Sequence, residues 1–189
     1  MSGRYVLVLK GSPREKGNSS LLADQVAAGA GAAGAQVESI VLQNINIRPC
    51  NACDVCQETG NGECILDDDM QMLYPKLWKA DAIVIATPIY WFTMSAQTKL
   101  CIDRWYALET SRGHALAGKR IGIVLTYGDS DPVSSGAVNA IHAFQDMFRY
   151  IKAPIVGMVY GSAMNAGDIQ NQPGLLEQAY KLGQELAAA

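Results

Sequence analysis

Five short strand-like segments, each followed by a stretch of helical spacing, constrain this chain more than any other feature. They cover residues 5–9, 37–42, 82–87, 121–126 and 155–160. Most read as near-continuous apolar runs, the pattern of strands covered on both faces in a parallel sheet. The spacing after them predicts helices over residues 21–33, 68–79, 95–108, 133–150 and 175–187. Ser19 or Ser20 is placed to cap the first helix and Asp67 to Asp69 to cap the second, while Pro88 should stop the third strand. Alternation of strand and helix predicts an α/β fold with a doubly wound parallel sheet, because right-handed crossovers put helices on both faces. A length of 189 residues fits one domain over residues 1–189, with a cysteine-rich loop at 47–66.

Composition narrows the function class. Hydrophobic residues make up 49% and charged residues 17%, which marks a globular chain with a core. A net charge of −3 without any Lys/Arg run argues against nucleic acid or an anionic membrane surface as the main partner. The longest apolar stretch, residues 82–96, is too short to span a bilayer and contains Pro88. Residues 1–4 lead into the first strand without the pattern of a secretory signal, so a cytoplasmic, reducing location is expected.

Four of the five cysteines fall within fifteen residues: Cys50, Cys53, Cys56 and Cys64. Three thiols at successive Cys-x2-Cys steps, with a fourth close behind, can converge on one soft metal centre. The repeated step resembles compact runs that hold iron–sulfur clusters. Zinc is the rival, although its sites more often use two separated pairs or add histidines. Redox thiols, a disulfide staple and simple packing stay open.

In open parallel sheets ligands bind beyond the carboxyl ends of the strands. Three loops at such ends carry unusual chemistry. Residues 11–20, Gly-Ser-Pro-Arg-Glu-Lys-Gly-Asn-Ser-Ser, lead from a strand into a helix, so backbone N–H groups and the helix dipole face whatever fills the turn. Ser12, Asn18, Ser19 and Ser20 add neutral donors and Arg14 adds charge, a cradle for one phosphate monoester. Neither Gly-Lys-Ser/Thr nor Gly-x-Gly-x-x-Gly occurs, which excludes a Walker loop and the dinucleotide fingerprint. Residues 87–92, Thr-Pro-Ile-Tyr-Trp-Phe, offer aromatic and aliphatic faces that suit a planar heterocycle, with core or interface packing as the bland alternative. Residues 126–130, Thr-Tyr-Gly-Asp-Ser, allow close approach at Gly128 and stacking at Tyr127. Together the three fit FMN better than a nucleoside triphosphate.

Gly11-Ser12-Pro13-Arg14 with Gly17-Asn18-Ser19, the four-cysteine run, Asp67-Asp68-Asp69-Met70, Thr87-Pro88-Ile89-Tyr90-Trp91 and Lys99 with Asp103-Arg104 resemble the NADPH-dependent FMN reductases, and within them the iron–sulfur flavoprotein branch. The resemblance runs from about residue 4 to residue 130. It implies a flavodoxin-like five-stranded sheet in the order 2-1-3-4-5 and non-covalent FMN. By resemblance, Ser12, Arg14, Asn18, Ser19 and Ser20 bind phosphate. Pro88, Ile89, Tyr90 and Trp91 line the flavin, and Thr126, Tyr127, Gly128 and Asp129 close its other side. Cys50, Cys53, Cys56 and Cys64 would hold a [4Fe–4S] cluster exchanging electrons with FMN. Implied partners are a small-molecule electron donor or acceptor, with NAD(P)H or ferredoxin as donor, in a homodimer or homotetramer. A cluster-free NAD(P)H:FMN or quinone reductase and a non-catalytic electron carrier are the alternatives.

No catalytic residue is assigned, since hydride transfer to a flavin requires no protein acid or base. His114 and His142 lie outside the three loops and read as surface or packing residues, and Cys101 as a buried small hydrophobe. Asp103 and Arg104 read as helix-packing or subunit-contact residues.

Overall fold

A computed structural model describes residues 3–188. Its main elements are β1 (Tyr5–Lys10), α1 (Asn18–Ala32), β2 (Gln36–Val41), α2 (Val55–Thr59), α3 (Met70–Lys79), β3 (Ala82–Tyr90), α4 (Ala96–Asp103), β4 (Arg120–Tyr127), α5 (Ala137–Tyr150), β5 (Ile155–Ser162) and α6 (Pro173–Ala187). The five strands form one parallel sheet in the order β2-β1-β3-β4-β5, as the resemblance implies. The short strand Thr93–Met94 returns antiparallel along the end of β3.

The period of two along each strand divides the core. Leu7, Leu9, Ile83, Ile85, Ile123 and Leu125 face one side and pack with Leu73, Leu77, Phe144 and Phe148. Val6, Val8, Val84 and Val124 face the other and pack with Leu22, Val26, Leu182 and Leu186. Each such buried side chain contributes roughly 1.5–3 kcal/mol relative to exposure. Double coverage explains why the strands carry apolar residues at successive positions.

Four of the departures from the sequence reading bear on the site, each for a physical reason. First, α1 starts at Asn18 with Gly17 as its N-cap, so Ser19 and Ser20 lie inside the first turn and cap nothing. Second, β3 continues through Pro88 to Tyr90. Ala86 accepts from Gly11 N (2.7 Å), so residue 88, two further along, faces the same side, where β1 has already ended at Lys10. A missing N–H there breaks no ladder. Third, the helix expected over 95–108 tightens at Arg104 into a 3-10 turn, Arg104–Leu108, while Ser95 caps its start by accepting from Thr98 N. Fourth, α5 begins at Ala137, because Asp131 Oδ1 accepts from Val133 N and Ser134 N and builds a separate turn before it. Among the described residues no helix is long and apolar enough to cross a membrane.

Candidate functional site

The loops after β1, β3 and β4 meet at one end of the sheet around a cavity of about 180 Å³. Nine expected residues line it: Ser12, Arg14, Asn18, Pro88, Ile89, Tyr90, Thr126, Tyr127 and Gly128. Trp91 and Asp129 instead line an adjoining groove of about 710 Å³, which shares Ile89, Gly128 and Met164 with the cavity. Ser20 faces a side cavity next to Arg14, with Gln43 and Asn44. Ser19 is buried and lines none of these spaces.

The α1 end of the cavity is built for an anion. Leu21 N donates the first intrahelical bond, to Gly17 O (3.0 Å), so the N–H groups of Asn18, Ser19 and Ser20 precede the helix's own bonding pattern. No acidic side chain occupies this first turn to satisfy the dipole. Ser12 Oγ accepts from Arg14 N (3.2 Å) and sets the curvature of the loop. A Cβ on Gly17 would lie 2.2 Å from Ser12 Oγ, so the backbone can close here only without a side chain. Ser19 Oγ is buried without a hydrogen-bond partner, an unmet donor and acceptor within that turn. These features fit the phosphate monoester of FMN, since a dianion would receive several N–H donors.

Asn18 does more than the sequence reading gave it. Its Nδ2 donates to Ala163 O (3.1 Å) and Asn165 O (2.8 Å), and its Oδ1 accepts from Gly167 N (3.0 Å) and Ile169 N (3.2 Å). The side chain is therefore committed to the loop after β5, which it draws against the cavity. This brings in Ala163 and Met164, lining residues that sequence reasoning missed because neither carries a distinctive group. A buried cluster fixes the opposite wall. Ser95 Oγ donates to Gly11 O (2.7 Å), and Ser95 N donates to Thr87 Oγ1 (3.0 Å). Ser95 just ahead of the helical run was the available signal for that cap. Burial pushes the Tyr127 phenol up, so it stays protonated at neutral pH.

The hairpin closing β3 is strained. Tyr90 pairs with Thr93, leaving Trp91 and Phe92 as a two-residue turn with φ of 50° and 67°. Trp91 is 92% exposed.

The cysteine loop lies on the α3 and α4 side and is tied down by Arg104, which is 2% exposed. Its Nη1 donates to Asp68 Oδ2 (2.5 Å) and Arg48 O (2.9 Å), and its Nη2 to Cys64 Sγ (3.4 Å). The expected caps thus serve the loop. Asp68 also accepts from Arg48 N (2.9 Å) and Met70 N (3.0 Å), whereas Asp69 accepts from Asn46 N (2.7 Å). Burial alone would raise the Asp68 carboxyl, but Arg104 and the two N–H groups outweigh it and hold it below the usual range. Cys56 is buried and Cys64 half-buried, while Cys50 and Cys53 are exposed. Ala52 and Asp54, on either side of Cys53, have φ of 53° and 56°. Among the described residues no three His, Cys, Asp or Glu side chains are gathered as a metal ion needs. The thiols therefore fit an iron–sulfur centre in donor chemistry and not in position. Cys101 is buried, with its thiol pushed up to about 12 by burial. His114 is a packing residue whose Nδ1 accepts from Leu116 N (3.1 Å).

A doubly wound sheet with a monophosphate cradle after its first strand, opening to an aromatic groove beside its third, defines a flavodoxin-like FMN oxidoreductase. Residues 5–167 match the family of NADPH-dependent FMN reductases, and the chain belongs to that family. An iron-sulfur flavoprotein of Methanocaldococcus jannaschii is 30% identical over 96% of this chain and 95% of its own. A Bacillus subtilis protein named as an NAD(P)H-dependent FMN-containing oxidoreductase is 29% identical over 94% of this chain and 95% of its own. The NAD(P)H:quinone oxidoreductase from Methanothermobacter marburgensis superimposes with a TM-score of 0.77 at 19% identity, over 99% of this chain and 98% of that one, and shares the fold.

Proposed function

We propose that this chain is a single FMN-binding domain that takes electrons from a reduced nicotinamide and passes them to a small acceptor. The N–H groups of Asn18, Ser19 and Ser20, with the hydroxyl of Ser12, would hold the phosphate, and Arg14 would add charge at the mouth. Pro88, Ile89 and Tyr90 on one side, and Thr126, Tyr127 and Gly128 on the other, would enclose the ribityl chain and ring. Trp91 and Asp129 border the outer groove. When bound, FMN supplies the hydride-accepting chemistry, and the protein supplies binding, orientation and exclusion of water. Tyr127 keeps its proton at neutral pH, so its hydroxyl stays available as a donor as well as an acceptor. Asn18 contributes by holding the loop that carries Ala163 and Met164.

One observation carries this reading. Three loops separated in sequence converge on one cavity, and at its α1 end the N–H groups of Asn18, Ser19 and Ser20 precede the first intrahelical bond. Four thiols of suitable chemistry, and the name of the 30% identical relative, support a [4Fe–4S] cluster on Cys50, Cys53, Cys56 and Cys64 once the exposed 50–53 limb folds over the inner pair. A homodimer or homotetramer, ferredoxin as an alternative donor and a cytoplasmic location belong to the same proposal and rest on the family resemblance. Anaerobic purification with flavin, iron and sulfide assays tests the reading. About one FMN per chain with NAD(P)H oxidation is expected, and a preparation that takes up no FMN would overturn it.

A further inference from the structure

We infer that a second anion subsite lies behind the FMN phosphate cradle, on the β2 side of residues 11–20, and takes a phosphate monoester carried on a pentose. It goes beyond the flavin reading, which leaves this space unassigned. The cavity measures about 280 Å³, and its lining includes Lys10, Ser12, Arg14, Ser20, Gln43 and Asn44. Only Ser12 and Arg14 are shared with the flavin cavity. That cavity reaches the ends of β3 and β4, this one reaches the end of β2, and β1 stands between them in the sheet. The two spaces are therefore back to back across one loop.

The wall is rich in donors that the fold itself does not use up. Lys10 closes β1 with a side chain only 12% exposed, and its ammonium pairs with Asp24. An ammonium carries three N–H donors, and that pairing engages one of them. Gln43 sits in the turn Leu42–Asn44 that follows β2, where its Oε1 accepts from Gln97 Nε2 (2.7 Å). The acceptor end of this amide is thus engaged, and its Nε2 stays available as a donor. Ser20 is 5% exposed, lines the cavity, and bonds through its hydroxyl to no other group among the described residues. A polar group buried to that degree ordinarily has a partner, so an unengaged hydroxyl on a cavity wall marks a ligand position.

The chemistry of the wall selects the occupant. Lys10 and Arg14 give it two cations against one lining carboxylate, Glu15, while Asp24 is not part of the lining. A divalent oxyanion suits that charge and takes charge-assisted bonds from the ammonium and the guanidinium. In dinucleotide-binding sheets an acid beyond the second strand bonds ribose hydroxyls, and a nearby Arg accommodates a ribose phosphate instead. Here β2 leads into the amides of Gln43 and Asn44, with Lys10 and Arg14 beside them, which is the second arrangement. The amides and Glu15 serve sugar hydroxyls as donors and acceptors. At about 280 Å³ the space falls just below the range of pockets for larger ligands, so a sugar phosphate enters and any attached base stays outside. A free sugar phosphate and the phosphorylated ribose of a nucleotide share this chemistry.

The test uses the full chain loaded with FMN, so that the first cradle is filled, and calorimetric titration with ribose-5-phosphate, ribose, inorganic phosphate and 2′-AMP. Ribose-5-phosphate should bind with a Kd of about 1 mM or tighter, and ribose and inorganic phosphate at least about tenfold more weakly. Lys10→Met and Asn44→Asp should each weaken ribose-5-phosphate about tenfold or more. FMN affinity should stay within about threefold in both, because neither residue lines the flavin cavity. Asp24 is exposed enough that losing its partner leaves the fold intact. Binding of 2′-AMP that matches ribose-5-phosphate and falls in the same variants assigns the phosphate to the ribose of a nucleotide, and its absence assigns it to a free sugar phosphate. No binding of either ester, equal binding of ribose or inorganic phosphate, or unchanged affinity in both variants would overturn the inference. Losses of FMN affinity in the two variants equal to their losses of ribose-5-phosphate would overturn it as well, by merging the two sites into one. Failure of wild type to take up FMN would remove the flavin reading alone, because ribose-5-phosphate is then titrated into the unloaded chain and its variants.

Discussion

At the scale of single residues, the region around the site is distinguished by groups held in unfavourable states. A buried hydroxyl without a partner costs about 1–3 kcal/mol. Removing Ser19 Oγ should therefore stabilise the apoprotein by about 1 kcal/mol, read by denaturant unfolding. The same Ser19→Ala change should leave FMN affinity within about threefold, read by fluorescence titration, because the hydroxyl is buried and lines no cavity. Trp91 and Phe92 belong to the same group, because left-handed backbone at such residues costs about 1–3 kcal/mol each. Asn18 is the opposite case, since its amide is fully engaged. Asn18→Ala should cost about 2–3 kcal/mol and speed amide exchange at Gly167 and Ile169, the N–H groups it bonds, with little change elsewhere.

At the scale of elements, the cysteine loop depends on one buried ion pair. Asp68 and Arg104 side chains are 0% and 1% exposed, so losing either partner strands a charge in the interior. Asp68→Asn should cost about 3–5 kcal/mol at pH 7, measured by chemical denaturation. The sign with pH follows from the depressed carboxyl. Its folded value lies below the unfolded one of about 3.9, so its contribution is complete above that pH and disappears as pH falls through the folded value. Wild type and Asp68→Asn should accordingly converge in stability in acid, and parallel curves down to pH 2 would contradict the assignment. The tie was not legible in the sequence. Arg104 sits in an apolar helical context and reads as a packing residue, while its partners Asp68, Arg48 and Cys64 come from another part of the chain.

At the scale of the molecule, what could be read in advance was what is periodic. Strand runs 5–9, 82–87 and 121–126 are continuous apolar stretches because both faces are covered, and that alone implied helices on either side and a site at the strand ends. The loops after β1, β3 and β4 carried compositional marks, and the fold brings those marks to one place. Contributions from ordinary residues were invisible: Ala163 and Met164 reach the cavity only through Asn18, and Pro88 stays in β3 because its neighbour strand has ended. The turn at Trp91 and Phe92 was invisible for another reason. Nothing in Tyr-Trp-Phe-Thr predicts a left-handed pair, which is imposed by Gly136 and Asn139 forty-odd residues later.

The central claim is that the N-terminal turn of α1 holds the phosphate of FMN, so it is tested most directly by titrating apoprotein with FMN and with riboflavin. Two or more charge-assisted bonds predict FMN binding at least about a hundredfold tighter, roughly 3 kcal/mol, with the difference shrinking in high phosphate. Equal affinities for the two, or no binding of either, would contradict the account.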